Sequence, residues 1–82
     1  MAIDYRRLRS LTGRDLIAAL VRDGFVFVRY SGSHQRYGHP DGRRVTVATH
    51  AGGDTFTIKT LQSIIETQAR WTEEDLQRLR LL

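Results

Sequence analysis

The sequence predicts an α+β fold, a three-stranded antiparallel sheet between helices, in the order α-β-β-β-α with a short extra C-terminal helix. Three observations carry this. Apolar residues recur at helical spacing near residues 16–21 and again near 58–65. Between them lie β-branched and aromatic runs, broken by the turn sequences Ser31-Gly32-Ser33 and Pro40-Asp41-Gly42. Turns this short cannot carry a crossover, so consecutive strands must pair antiparallel.

The elements follow in order. Residues 1–12 form an N-terminal arm in which Ile3, Leu8 and Leu11 can pack on the body, with room for a helical turn. Thr12 stands three residues before Asp15, a capping box with Asp in the usual place of Glu. It opens a helix over about 13–23, with Leu16, Ile17, Leu20 and Val21 at helical spacing and Gly24 as the left-handed stop. Strands are expected at 25–30, 34–39 and 43–48. Val45 and Val47 should face the helices, and Arg44 and Thr46 should face outward. After a loop at 49–54, a second helix begins near Thr57 or Ile58 and runs to about Gln68. Ile58, Leu61, Ile64 and Ile65 make its buried stripe. Trp71 sits in the joint before a short helix over 72–80, whose early acids and late arginines suit the helix dipole. Phe25, Phe27 and Trp71 are expected in the core.

Eighty-two residues make a single domain, 1–82, with a small core. Cysteine is absent, which removes disulfides, thiolate metal sites and a cysteine nucleophile. The N-terminus has no apolar run of a secretory signal, and no segment approaches the roughly 18–20 apolar residues of a membrane span. A cytoplasmic protein with no membrane association is expected. The net charge of +4 is unevenly spread: residues 1–65 hold ten Lys/Arg against five acids, and residues 66–82 hold three against four. The cationic part contains the candidate site, and phosphate is its natural counter-charge. A solvated basic surface explains the same charge.

The candidate chemistry centres on His34, delivered by a Gly-Ser turn to the start of the second strand. Histidine can both take and give a proton near neutral pH. Strand alternation puts His34 and Arg36 on one face and Gln35, Tyr37 and His39 on the other. Arg29, Arg43 and Arg44 on the neighbouring strands are further phosphate candidates. Lys59, in the first turn of the second helix, opposes the helix dipole unless an anion lies close. The ordinary alternatives are a turn histidine and solvated charge. His39 reads as a turn residue, His50 as a weak auxiliary to His34, Tyr30 as a base-stacking candidate and Tyr37 as packing. The histidine spacings give no recognisable metal site, and no cofactor is implied.

The succession Asp23-Gly24-Phe25, Val28-Arg29, Gly32-Ser33-His34, His39-Pro40-Asp41-Gly42-Arg43, Val45-Thr46-Val47 and His50 resembles the HicA family of toxins, from about Thr12 to the C-terminus. The resemblance implies a fold like that of double-stranded-RNA-binding domains and an mRNA-cleaving toxin held inactive by a HicB-like antitoxin. It implies that His34 is the catalytic acid–base group, without a metal. Ser33, Arg29, Arg36, Arg44 and Lys59 then become the candidates for binding RNA. The chain departs from common members in its extra third helix and in Ala48, where a proline is frequent. A non-catalytic RNA-binding module and a protein-interaction adaptor are the competing readings.

Overall fold

The computed structural model describes residues 3–48 and 52–82. A 3-10 turn (Tyr5–Leu8) precedes helix α1 (Gly13–Arg22), strands β1 (Val26–Ser31), β2 (His34–Gly38) and β3 (Arg44–Ala48), and helix α2 (Ile58–Gln62). The last continues as a π-helical segment (Ser63–Gln68), and α3 (Glu73–Arg78) follows. The sheet order is β1-β2-β3, antiparallel throughout. This is the expected architecture.

Local chemistry accounts for the helix ends. Thr12 and Asp15 form the reciprocal capping box, each side chain accepting the other's backbone N–H at 3.1 Å. Thr72 and Asp75 repeat the device at α3. Gly24 ends α1 with φ +102°, while the N–H groups of Gly24 and Phe25 bond the carbonyls of Val21 and Leu20. That is a Schellman turn, and glycine adopts its left-handed residue without a Cβ penalty.

The core joins Leu16, Ala19 and Leu20 of α1, Tyr37, Val45 and Val47 of the sheet, Leu61, Ile64 and Ile65 of the second helix, and Trp71, Leu76 and Leu79. Leu8 and Leu11 bring the N-terminal arm into it. Tyr5 Oη also donates to Glu66 of the π segment, and burial first, then this bond, pushes the phenol's pKa up.

Three apolar residues depart from expectation. Val21 is exposed because it lies five positions past Leu16, roughly 140° round the helix. Ile58 is exposed at the first turn of α2, one turn short of the packed stretch that begins at Leu61. Phe27 is 44% exposed rather than core. It pairs with Tyr37 and shares its face, but β1 is the edge strand away from the π segment. Its ring centroid lies 4.9 Å from Tyr30 and 5.7 Å from Tyr37.

The second helix reaches Gln68 as expected, but its last six residues are π-helical, with Ala69 N–H bonded to the Ile64 carbonyl. The wider turn stacks positions five apart, so Gln68 Nε2 donates to Ser63 Oγ. Gln68 Oε1 meanwhile accepts the Thr46 N–H at 2.8 Å. An unpaired donor of the β3 edge is thereby covered.

Candidate functional site

The site begins at the β1–β2 hairpin. Gly32 occupies the first central position of a two-residue turn at φ +62°, the positive value a II′ turn requires there. The turn sets His34 as the first residue of the central strand, opposite Ser31 on one side and Ala48 on the other. Ser33 lies in the turn itself, exposed. His34 is exposed on the sheet face turned away from the core, whereas Gln35 and Tyr37 point inward, as strand alternation requires.

Arg36 follows on the same face and is paired with Thr46 on β3 and Arg29 on β1. Arg29 reaches that position only through a β-bulge. The register shifts between Phe27 and Arg29, inserting Val28 as an extra residue. Without it, Arg29 would share the face of Phe27. Gly38 has no side chain to fill the surface between Val28 and Arg44. The result is a trough of about 500 Å³ lined by Arg29, Arg36, Gly38 and Arg44, among others.

A second cleft, of about 400 Å³, lies at the β3 edge and brings His34 together with Lys59, Thr60, Ser63 and Gln68. Thr46 lines both cavities. Lys59 stands in the first turn of α2, after the N-cap Thr57, whose Oγ1 accepts the Thr60 N–H. Among the described residues, no carboxylate forms an ion pair with Arg29, Arg36, Arg44 or Lys59. Their charge is therefore available to an anion.

Arg43 and His39 also line the trough, but both side chains are committed to the protein itself. The Arg43 guanidinium bonds Asp41 at 2.7 Å and the Ala69 carbonyl at 2.6 Å, lies 3.2 Å from Asp23, and covers the Phe25 ring. An arginine so committed is structural. His39 is equally engaged: Nε2 donates to the Asp23 carbonyl at 2.8 Å, and Nδ1 meets the Asp41 N–H. Tyr30 is exposed but pairs with Gln35, off the His34 face, and Tyr37 is buried. His50 lies outside the described residues. Sequence reasoning passed over Thr46, Ser63 and Gln68. Thr46 was legible as outward-facing, but Gln68 reaches the cleft only through the π segment.

Among the described residues, no group of three His, Cys, Asp or Glu side chains is arranged to hold a metal ion, and no helix is long and apolar enough to cross a membrane. The model of a family described as the HicA toxin of bacterial toxin–antitoxin systems matches residues 13–71. No curated protein matches the chain. The matched span contains α1, the whole sheet and the second helix, and leaves the N-terminal turn and α3 outside it. Covering well over half of the sequence, the match establishes that the chain belongs to the HicA toxin family.

Proposed function

We propose that the chain is an endoribonuclease toxin that cleaves mRNA without a metal, with His34 as its acid–base group. The observation that carries this reading is the shared cleft of His34 and Lys59, whose wall at Thr46 also lines the arginine trough. The family is generally associated with mRNA-cleaving toxins, which supports the same reading.

RNA carries its own nucleophile. The His34 imidazole takes the 2′-hydroxyl proton as that oxygen attacks the adjacent phosphorus, and the bond to the 5′-oxygen breaks. The leaving oxygen takes up a proton, so the products are a 2′,3′-cyclic phosphate and a 5′-hydroxyl. Negative charge gathers on the phosphate oxygens in the transition state, where Lys59 and Arg36 can stabilise it. Arg29 and Arg44 hold the strand through neighbouring phosphates, and Ser33 offers a hydroxyl beside His34. Binding of this kind is sequence-independent and salt-sensitive. The partner is a HicB-like antitoxin whose acidic or shape-complementary surface covers His34 and the cationic face.

Expression in a bacterial host tests the reading. Wild type should arrest growth, co-expression of the antitoxin should restore it, and His34→Ala should be harmless at equal protein level. Arrest by His34→Ala would leave a non-catalytic RNA-binding module. No arrest by wild type, with no RNA retained in a gel, would leave a protein-interaction adaptor.

A further inference from the structure

Three other guanidiniums converge on the helical side of the sheet. Arg7 of the 3-10 turn, Arg22 of α1 and Arg80 beyond α3 line a groove of about 320 Å³, together with Leu11, Asp15 and Ala18. Asp15 is its one acid, and that carboxylate is turned onto the Thr12 N–H as half of the capping box. Arg22 is also tethered, donating to the Leu79 carbonyl at 2.7 Å. Among the described residues, no carboxylate pairs with Arg7 or Arg80. Like charges gathered around one groove repel, and a bound anion relieves that repulsion.

The backbone places Arg80 in the groove. α3 ends in a Schellman turn, with the N–H groups of Arg80 and Leu81 bonded to the carbonyls of Gln77 and Leu76. Arg80 occupies its left-handed position at φ +61°, where α1 uses Gly24. A side chain there carries a Cβ clash that glycine avoids. Arg70, outside this groove, has a similar φ of +57°, so what the turn contributes here is placement: it sets Arg80 on the groove's wall. Arg7 and Arg80 lie outside residues 13–71 and Arg22 lies inside, so the groove forms where the flanking segments meet α1.

We infer that this groove is a second phosphate subsite, holding the backbone of an RNA strand that extends beyond the His34 cleft. The inference rests on the proposed RNA-cleaving function. Guanidinium suits the role because its planar fork meets phosphate oxygens in pairs. A strand must pass around the molecule, whose longest dimension is 32 Å, to occupy both places. At 3.4 Å or more per nucleotide, about 20 nucleotides suffice and about four do not.

The test uses the His34→Ala protein, which binds RNA without cutting it, with and without Arg7→Gln plus Arg80→Asn. Asparagine tolerates the left-handed turn, so the melting temperature should hold. If it falls, Arg7→Gln alone serves, with half the effect. Binding of an RNA of about 20 nucleotides should weaken severalfold, and the slope of log affinity against log salt should shrink by about 1.4, roughly 0.7 for each lost contact. Binding of an RNA of about four nucleotides should be unchanged. An unaltered slope with the long RNA overturns the subsite, as does equal weakening of the short one, which would mark a general charge effect. Lys59→Ala separates this from the cleft: if it leaves binding intact while the arginine pair weakens it, the groove stands and the cleft reading fails.

Discussion

Replacing Asp23 by Asn should cost about 3 kcal/mol, because one carboxylate ties the end of α1 to Trp71, Arg78 and Arg43. Its side chain is only 8% exposed. Trp71 Nε1 donates to Oδ2 at 2.8 Å, Arg78 Nη2 donates to Oδ1 at 2.9 Å, and Arg43 lies 3.2 Å away. Burial pushes the acid's pKa up, but the Trp71 and Arg78 bonds and the Arg43 charge outweigh it, so the net shift is downward. An amide presents a donor where the carboxylate had an acceptor and removes the charge, and each charge-assisted bond is worth about 1.5–3 kcal/mol. Arg43 keeps Asp41 and the Ala69 carbonyl, so it is not stranded, and half-exposed Arg78 returns to water. The loss therefore falls mainly on the Trp71 and Arg43 contacts. In a domain of this size it lowers the melting temperature by about 12–24 °C, read by circular dichroism. Arg78→Ala should produce only a small fraction of that shift. The wild-type advantage should also disappear in acid, as Asp23 is protonated. A drop below about 5 °C at neutral pH would refute the assignment of Asp23 as the central tie.

Other outcomes follow from the same structure. Asp15 and Asp75 have lowered pKa values, chiefly through the backbone N–H groups of Thr12 and Thr72, and Asp23 is lowered as above. A depressed carboxylate contributes stability above its unfolded value, here 3.8, and loses it as pH falls through the folded value. The melting temperature should thus be steady from neutral pH down to about 5 and fall steeply below about 4. Gly24→Ala should destabilise by about 2 kcal/mol, measured by urea unfolding, since the residue needs a positive φ. Its Cβ would also stand 3.0 Å from the His39 Nε2 that holds the Asp23 carbonyl. Phe27→Ser should cost less than about 1 kcal/mol in the same assay, whereas fully buried Leu20→Ala should cost about 3–5 kcal/mol. Equal losses would put Phe27 back in the core.

What could be read from the sequence was local chemistry and periodicity. Thr12 and Asp15, Gly24, and the alternation of Tyr37, Val45 and Val47 each declare a neighbour a few residues away or a face of a strand. His34 was legible for the same reason, since the turn before it sets its place. The less legible features depend on distant partners. Nothing near Arg43 announces that Asp23 will claim it, and an arginine at a strand's start looks like a solvated cation until the end of α1 meets the turn at Pro40-Asp41-Gly42. The bulge at Val28 carries Arg29 to the face of Arg36, a one-residue slip that the apolar run 25–28 does not encode. Gln68 is ordinary as a helix-end residue, and acquires its role by reaching Thr46 across 22 positions.

Cleavage of a defined RNA by the purified protein in excess chelator tests the central claim most directly. Wild type should release fragments ending in a 2′,3′-cyclic phosphate, and His34→Ala, with unchanged melting, should cut about 10²–10⁴-fold more slowly. Cleavage by His34→Ala at the wild-type rate would remove His34 from the chemistry and contradict the account.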